Sequence, residues 1–226
     1  MNTDRPRSPL QAVLFDLDGT LVDTAPDLAH ALNSLLAENN RPTLPFDRIR
    51  DQVSNGGNAL IKLGFDVVPD DPQHPSLRAR LLEIYHQCVA NQSSLFDGLP
   101  NLLEQLISLQ IPWGIITNKP RIYTESLLKA LNLTPDILVC PEDLGVSKPD
   151  PAPLLYAARQ LAVDPTQCVY IGDHQRDIEA GRNAGMQTLV AGFGYIPLEE
   201  NPKDWQPDFI ATSVIDLNAW VLQRLN

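Results

Sequence analysis

The chain has 226 residues, 43% hydrophobic and 20% charged, a composition that can bury a globular core. Its net charge of −11 argues against sequence-independent nucleic-acid binding and obliges any anionic ligand to find a local positive site. Cys88, Cys140 and Cys168 are far apart and odd in number, which argues against a disulfide scaffold or a C-x-x-C pair and suits a reducing cytoplasm; no apolar run reaches the roughly 20 residues of a membrane span.

In chain order, the polar start Met1–Pro9 reads as a short flexible arm rather than a signal peptide. Ala12-Val13-Leu14-Phe15 has the texture of a buried strand and delivers Asp16 and Asp18 into a turn at Gly19-Thr20. Strand side chains alternate faces, so both carboxylates start on one side, at the carboxyl end of a strand, where open α/β sheets bind ligands. Crowded carboxylates repel unless a cation or a shared proton compensates, so the pair points to a metal, a nucleophile and a proton carrier in one place. Asp-Gly is also an ordinary turn signal, and the rest of the chain has to decide.

From Asp23 to about Asp97 the pattern is helical. Thr24-Ala25-Pro26-Asp27 reads as a helix start, and Leu28, Leu32, Leu35 and Leu36 recur at helical spacing. A second helix is expected to hold Ile49 and Val53, and another Leu77, Leu81, Leu82, Tyr85 and Val89. Between them lie the loops Ser54-Asn55-Gly56-Gly57 and Val68-Pro69-Asp70-Asp71-Pro72. His30 and His86 fall in helices and His74 in a loop, none with an assigned role.

After Gly98 helices and apolar strands alternate. The strands are Trp113–Thr117, Ile137–Val139, Cys168–Gly172, Gln187–Val190 and a weak Asp208–Ala211, with helices over 99–109, 122–131, 152–161 and 177–184 and one that closes the chain. That alternation predicts an α/β fold, a parallel sheet covered on both faces. The core then comprises residues 1–22 and 98–226, and the helical insertion 23–97 hangs over the carboxyl edge of the sheet as a lid.

Four polar groups follow the strands: Asp16 and Asp18; Thr117 and Asn118; Lys148 in Val146-Ser147-Lys148-Pro149-Asp150; and Asp173 with Asp177. Singly they read as helix caps, a loop lysine or helix-start acids; in a doubly wound sheet they converge on one crevice.

In this order the motifs resemble those of the haloacid dehalogenase-like phosphatases, over essentially the whole chain, and most nearly the phosphoglycolate phosphatase-like branch. Several stretches are similar to N-acetylmuramic acid 6-phosphate phosphatases: Ser94-Leu95-Phe96-Asp97-Gly98, Trp113 to Pro120, Cys140-Pro141-Glu142, and Gly194-Tyr195-Ile196-Pro197 with Asn201 to Trp205. The resemblance implies a Rossmann-like doubly wound core with a small all-helical cap of the C1 type. It implies Asp16 as nucleophile, Asp18 as general acid and base whose backbone carbonyl also ligates metal, and Thr117, Asn118 and Lys148 on the phosphoryl group. Asp16 and Asp173 would ligate Mg²⁺, with Asp177 supporting them. One departure is His174 after Gly172-Asp173, expected to be an exposed helix-start residue because imidazole suits Mg²⁺ poorly.

Specificity is expected from the insertion. Ser54, Asn55, Gly56 and Gly57 form the candidate substrate loop, and the flanking Arg50 and Lys62 could meet a carboxylate. The expected partner is a small phosphorylated metabolite, N-acetylmuramic acid 6-phosphate or 2-phosphoglycolate. Neither nucleic acid nor membrane is expected, and the protein would act in the cytoplasm as a monomer or homodimer. The alternatives are a phosphosugar mutase of the same fold and a non-catalytic phosphoester-binding protein.

Overall fold

The computed structural model describes residues 9–225, so the arm expected at Met1–Pro9 lies, but for Pro9, outside the described residues. In chain order the elements are β1 (Ala12–Phe15), β2 (Val22–Asp23), α1 (Ala25–Glu38), α2 (Phe46–Arg50), α3 (Gly56–Phe65), α4 (His74–Cys88), β3 (Ser94–Leu95), α5 (Leu99–Ser108) and β4 (Trp113–Ile116). There follow α6 (Arg121–Ala130), β5 (Ile137–Val139), α7 (Pro141–Leu144), α8 (Ala152–Gln160), β6 (Cys168–Gly172), α9 (Gln175–Asn183), β7 (Gln187–Ala191), β8 (Phe209–Ala211) and α10 (Val214–Leu222).

Six strands form one parallel sheet in the order β5-β4-β1-β6-β7-β8. Every residue of β1, β4, β6 and β7 is buried, as a sheet covered on both faces requires. The alternation within β1 divides the core. Val13 and Phe15 pack with Leu102, Leu106, Leu127, Leu217 and Val221, and Ala12 and Leu14 with Leu154, Ala157, Ala158 and Ala180. The chain runs outward from β1 through β4 to β5, then returns to β6 on the other flank of β1. This reversal makes the carboxyl ends of β4, β1 and β6 the topological switch point, where such sheets bind ligands.

The helices α1–α4 are inserted between β2 and β3, which pair antiparallel with Asp23 opposite Ser94. They bury their own cluster, Leu28, Leu32, Leu35, Ile49, Leu60, Ile61, Leu81 and Tyr85 among it. The buried Asp27 carboxylate ties the first turn of α1 to the end of the insert by accepting from Gln92 N (3.0 Å), Ser93 N (3.0 Å) and Ser93 Oγ (2.5 Å). A buried carboxylate persists only with such donors.

Two expectations need correction here. Gly56 and Gly57 do not sit in a plain loop; they open α3, whose Leu60, Ile61 and Phe65 are buried. Packing of that stripe overrides the poor helix propensity of the two glycines. His74 is not in a loop either, being the first residue of α4 and buried.

Candidate active site

Asp16 leaves β1 directly into the crevice. Its Oδ1 accepts from Leu17 N at 2.7 Å and lies 2.8 Å from Lys148 Nζ. The Lys148 ammonium is buried, lies 2.8 Å from both Asp16 Oδ1 and Asp177 Oδ1, and donates to the Tyr170 hydroxyl (2.7 Å), which in turn donates to Ile116 O (2.7 Å). Burial works against the charged lysine, but Asp16 and Asp177 outweigh it and hold its pKa above the ordinary value.

Thr117 and Asn118 follow β4. The Asn118 amide clamps the loop that carries Lys148, donating to Lys148 O and accepting from Lys148 N, both at 3.0 Å. Asn118 therefore positions the lysine, while the Thr117 hydroxyl accepts from Lys119 N at 3.0 Å and lines the cavity.

Asp173 follows β6 and is fully enclosed. Its Oδ2 accepts from Tyr195 N and Ser54 Oγ, each at 2.8 Å. Two glycines make room for it. A Cβ on Gly19, whose φ is +78°, would fall 2.2 Å from Asp173 Oδ2, and one on Gly194 would fall 2.4 Å from Asp173 Cβ. Burial first, then Asp16 and Asp177, push the Asp173 carboxyl up to about 7. Burial raises Asp16 as well, against the pull of Lys148.

Asp16, Asp173 and Asp177 each present an oxygen within 4.8 Å of the others. Three buried carboxylates against one lysine leave excess negative charge, and hard oxygen donors are the set Mg²⁺ prefers, so the residues fit that ion. His174 is half-buried rather than exposed. It caps α9 reciprocally with Asp177, stacks on Trp205 and reaches Asn55 Oδ1 at 3.2 Å, with burial lowering its pKa to about 4.

Asp18 and Asp16 both line a cavity of about 340 Å³ between the sheet edge and the insert, and Asp18 lies on the side of Lys119 rather than of the acidic cluster. Its Oδ1 accepts from Thr24 Oγ1 (2.5 Å) and Lys119 Nζ (2.9 Å). Lys119 carried no assigned role in the sequence; the signal was its place directly after Thr117-Asn118. Its ammonium lies 4.6 Å from the centre of the Tyr85 ring on α4, so it joins the sheet to the insert.

Ser54, Asn55, Gly56 and Gly57 all line this cavity, together with Asn58, Arg78, Tyr85, Tyr123 and Arg176. Arg50 and Lys62 do not. The Arg50 guanidinium donates to Phe193 O (2.9 Å) and Gly194 O (2.8 Å) and stacks on Tyr195, fastening the insert to the sheet, while Lys62 is exposed and paired with Asp66. Tyr195 is a second fastening, with its hydroxyl donating to Asp23 Oδ1 (2.6 Å) and accepting from Ala25 N (2.9 Å). No helix among the described residues is long and apolar enough to cross a membrane.

The family model described as haloacid dehalogenase-like hydrolase matches residues 13–191. A curated N-acetylmuramic acid 6-phosphate phosphatase from Pseudomonas aeruginosa is 41% identical over 206 residues, covering 90% of this chain and 91% of its own. A phosphoglycolate phosphatase from Xanthomonas campestris pv. campestris is 38% identical over 202 residues, covering 88% and 91%. Among solved structures, that of a predicted phosphoglycolate phosphatase from Haemophilus somnus matches with a TM-score of 0.82 at 26% identity, over 93% of this chain and 97% of that one.

Proposed function

The chain belongs to the haloacid dehalogenase-like hydrolase family, and from that premise we propose that it is a magnesium-dependent phosphomonoesterase working through an aspartyl-phosphate on Asp16. The substrate is a small phosphorylated sugar or acid, N-acetylmuramic acid 6-phosphate or 2-phosphoglycolate, met in the cytoplasm by a monomer or homodimer. The observation that carries this reading is the division of labour between the two aspartates. Asp16 lies against Lys148 and the acidic cluster, and Asp18, two residues on, opens into the cavity with Lys119.

In the first step a carboxylate oxygen of Asp16 attacks phosphorus as the ester P–O bond breaks, and Asp18 gives its proton to the leaving alkoxide. In the second, Asp18 takes a proton from water as that water attacks phosphorus, releasing phosphate and restoring Asp16. Lys148 and the Thr117 hydroxyl hold the phosphoryl oxygens, and Thr24 and Lys119 orient Asp18. Asp16 and Asp173, with Asp177 behind them, would hold Mg²⁺, which when bound would supply neutralisation of the phosphoryl charge. The helices α1–α4 act as a cap that keeps bulk water from the intermediate.

The test is phosphate release from the two esters side by side, with Mg²⁺ and with EDTA, using Asp16→Asn as the blank. Mg²⁺-dependent release absent from the blank supports the reading. Isomerised product without net release would make the protein a mutase, and binding without turnover a phosphoester sensor.

A further inference from the structure

One cation in the cavity takes no part in the chemistry above. Arg78, half-buried on α4, lines the cavity, and among the described residues its guanidinium has neither a carboxylate nor a hydrogen-bond partner. The other two cavity cations are engaged, Lys119 on Asp18 and Arg176 on the Ser54 carbonyl. A planar guanidinium with its donors unspent, in a concave site of an acidic protein, is matched to a carboxylate.

Its position sets a length. Arg78, Leu81, Leu82 and Tyr85 recur at i, i+3, i+4 and i+7, and all four line the cavity from one face of α4. Tyr85 lies against Lys119 and so marks the phosphoryl end. Arg78 is two turns away, about 10 Å along the helix axis. Its Nε sits beside the start of α3, 3.9 Å from where a Cβ on Gly57 would stand. Leu28, Val53 and Leu60 add apolar surface to that of Leu81 and Leu82 in the lining.

Resting on the phosphatase reading, we propose that Arg78 binds a carboxylate on the leaving group, and that the cavity selects phosphoesters whose second negative charge is separated from phosphorus by a spacer the size of a pyranose ring. In 2-phosphoglycolate the carboxylate is attached to the carbon that bears the ester oxygen, so it stays at the Lys119 end and leaves Arg78 unmet. A sugar 6-phosphate carrying an acid across the ring reaches both ends.

The test compares kcat/KM for N-acetylmuramic acid 6-phosphate and N-acetylglucosamine 6-phosphate, which share ring, acetamide and phosphate and differ by the lactyl carboxylate. The proteins are the full chain, Arg78→Gln and Arg78→Lys, all with Mg²⁺. Wild type prefers the acid. Arg78→Gln cuts that preference on the order of 10- to 100-fold, the value of a hydrogen-bonded charge, mainly through KM, and Arg78→Lys recovers part of it. An equal preference in wild type and Arg78→Gln overturns the subsite, as does a wild type that does not discriminate between the two esters, a measurement that needs no variant to fold. Wild type that hydrolyses 2-phosphoglycolate but neither sugar ester overturns the subsite alone, and wild type that hydrolyses none of the three overturns the phosphatase reading along with it, which separates the two failures.

Discussion

The Lys119 ammonium donates to Asp18 Oδ1 at 2.9 Å while lying 4.6 Å from the centre of the Tyr85 ring. One buried charge thus contacts both the aspartate assigned to proton transfer and the helix that roofs the cavity. Burial alone would lower its pKa, but Asp18 raises it, so the lysine stays charged. Replacing it by methionine keeps the length and removes the charge. Lys119→Met is expected to lower kcat about 100-fold, the usual share of a positioned proton-transfer group, in steady-state phosphate release. Unchanged kcat would remove Lys119 from the mechanism.

Gly194 passes so close to Asp173 that a Cβ there would also fall 2.4 Å from Gly19 O. Gly194→Ala must push the Asp173 carboxylate or the Gly19 turn aside. A destabilisation of about 1–3 kcal/mol is expected in chemical denaturation, with weaker Mg²⁺ binding in calorimetry. Wild-type stability and affinity would show that the loop yields without disturbing the acids.

The acidic cluster makes metal-free stability depend on pH. Asp173 has an ordinary value of 3.8 and is pushed up to about 7 in the folded protein. The folded state then binds more protons than the unfolded one between those values, so stability is lost as pH rises from about 4 to about 7. Mg²⁺ replaces the missing positive charge, so its addition should raise Tm more at about pH 8 than at about pH 5. Equal shifts at both would show that the carboxylates are not the ion's ligands.

Arg50 fastens the insert to the sheet through the Phe193 and Gly194 carbonyls. Both acceptors are backbone atoms that water can satisfy, so Arg50→Ala is expected to leave the fold intact and loosen docking. KM for the preferred ester should rise on the order of 10-fold, in line with loss of a charged hydrogen bond of about 1.5 kcal/mol. An unchanged KM would mean that the remaining contacts, Tyr195 to Asp23 and Ser54 to Asp173, suffice.

The groups at the strand ends were legible because each strand carries its own signal. An apolar run ending in Asp16, Thr117 or Asp173 needs no long-range information to be placed at one edge of a parallel sheet. The insert was less legible because its contacts are between helices. Gly56-Gly57 argues locally for a loop, and the packing of Leu60, Ile61 and Phe65 that makes it a helix depends on partners in α1 and α4. Arg50 and Lys62 were the expected anion contacts from nearness in sequence alone, yet one is turned to the sheet and the other to solvent. Arg78 had a readable mark that went unused, an arginine standing in the apolar stripe of Leu81, Leu82 and Tyr85. His174 follows the same lesson: a residue expected at the surface is covered by Trp205 and Asn55, one from a distant loop and one from the insert.

The proposed mechanism stands on Asp16 as the residue that carries the phosphoryl group. Acid-quenching the enzyme during turnover of N-acetylmuramic acid 6-phosphate with Mg²⁺, digesting it and weighing the peptides reads this directly. One added phosphoryl group is expected on the peptide containing Asp16, labile to base and hydroxylamine, and none in Asp16→Asn, which is expected to fold and to be inactive. A phosphoryl group on another residue, or full turnover by Asp16→Asn, would contradict it.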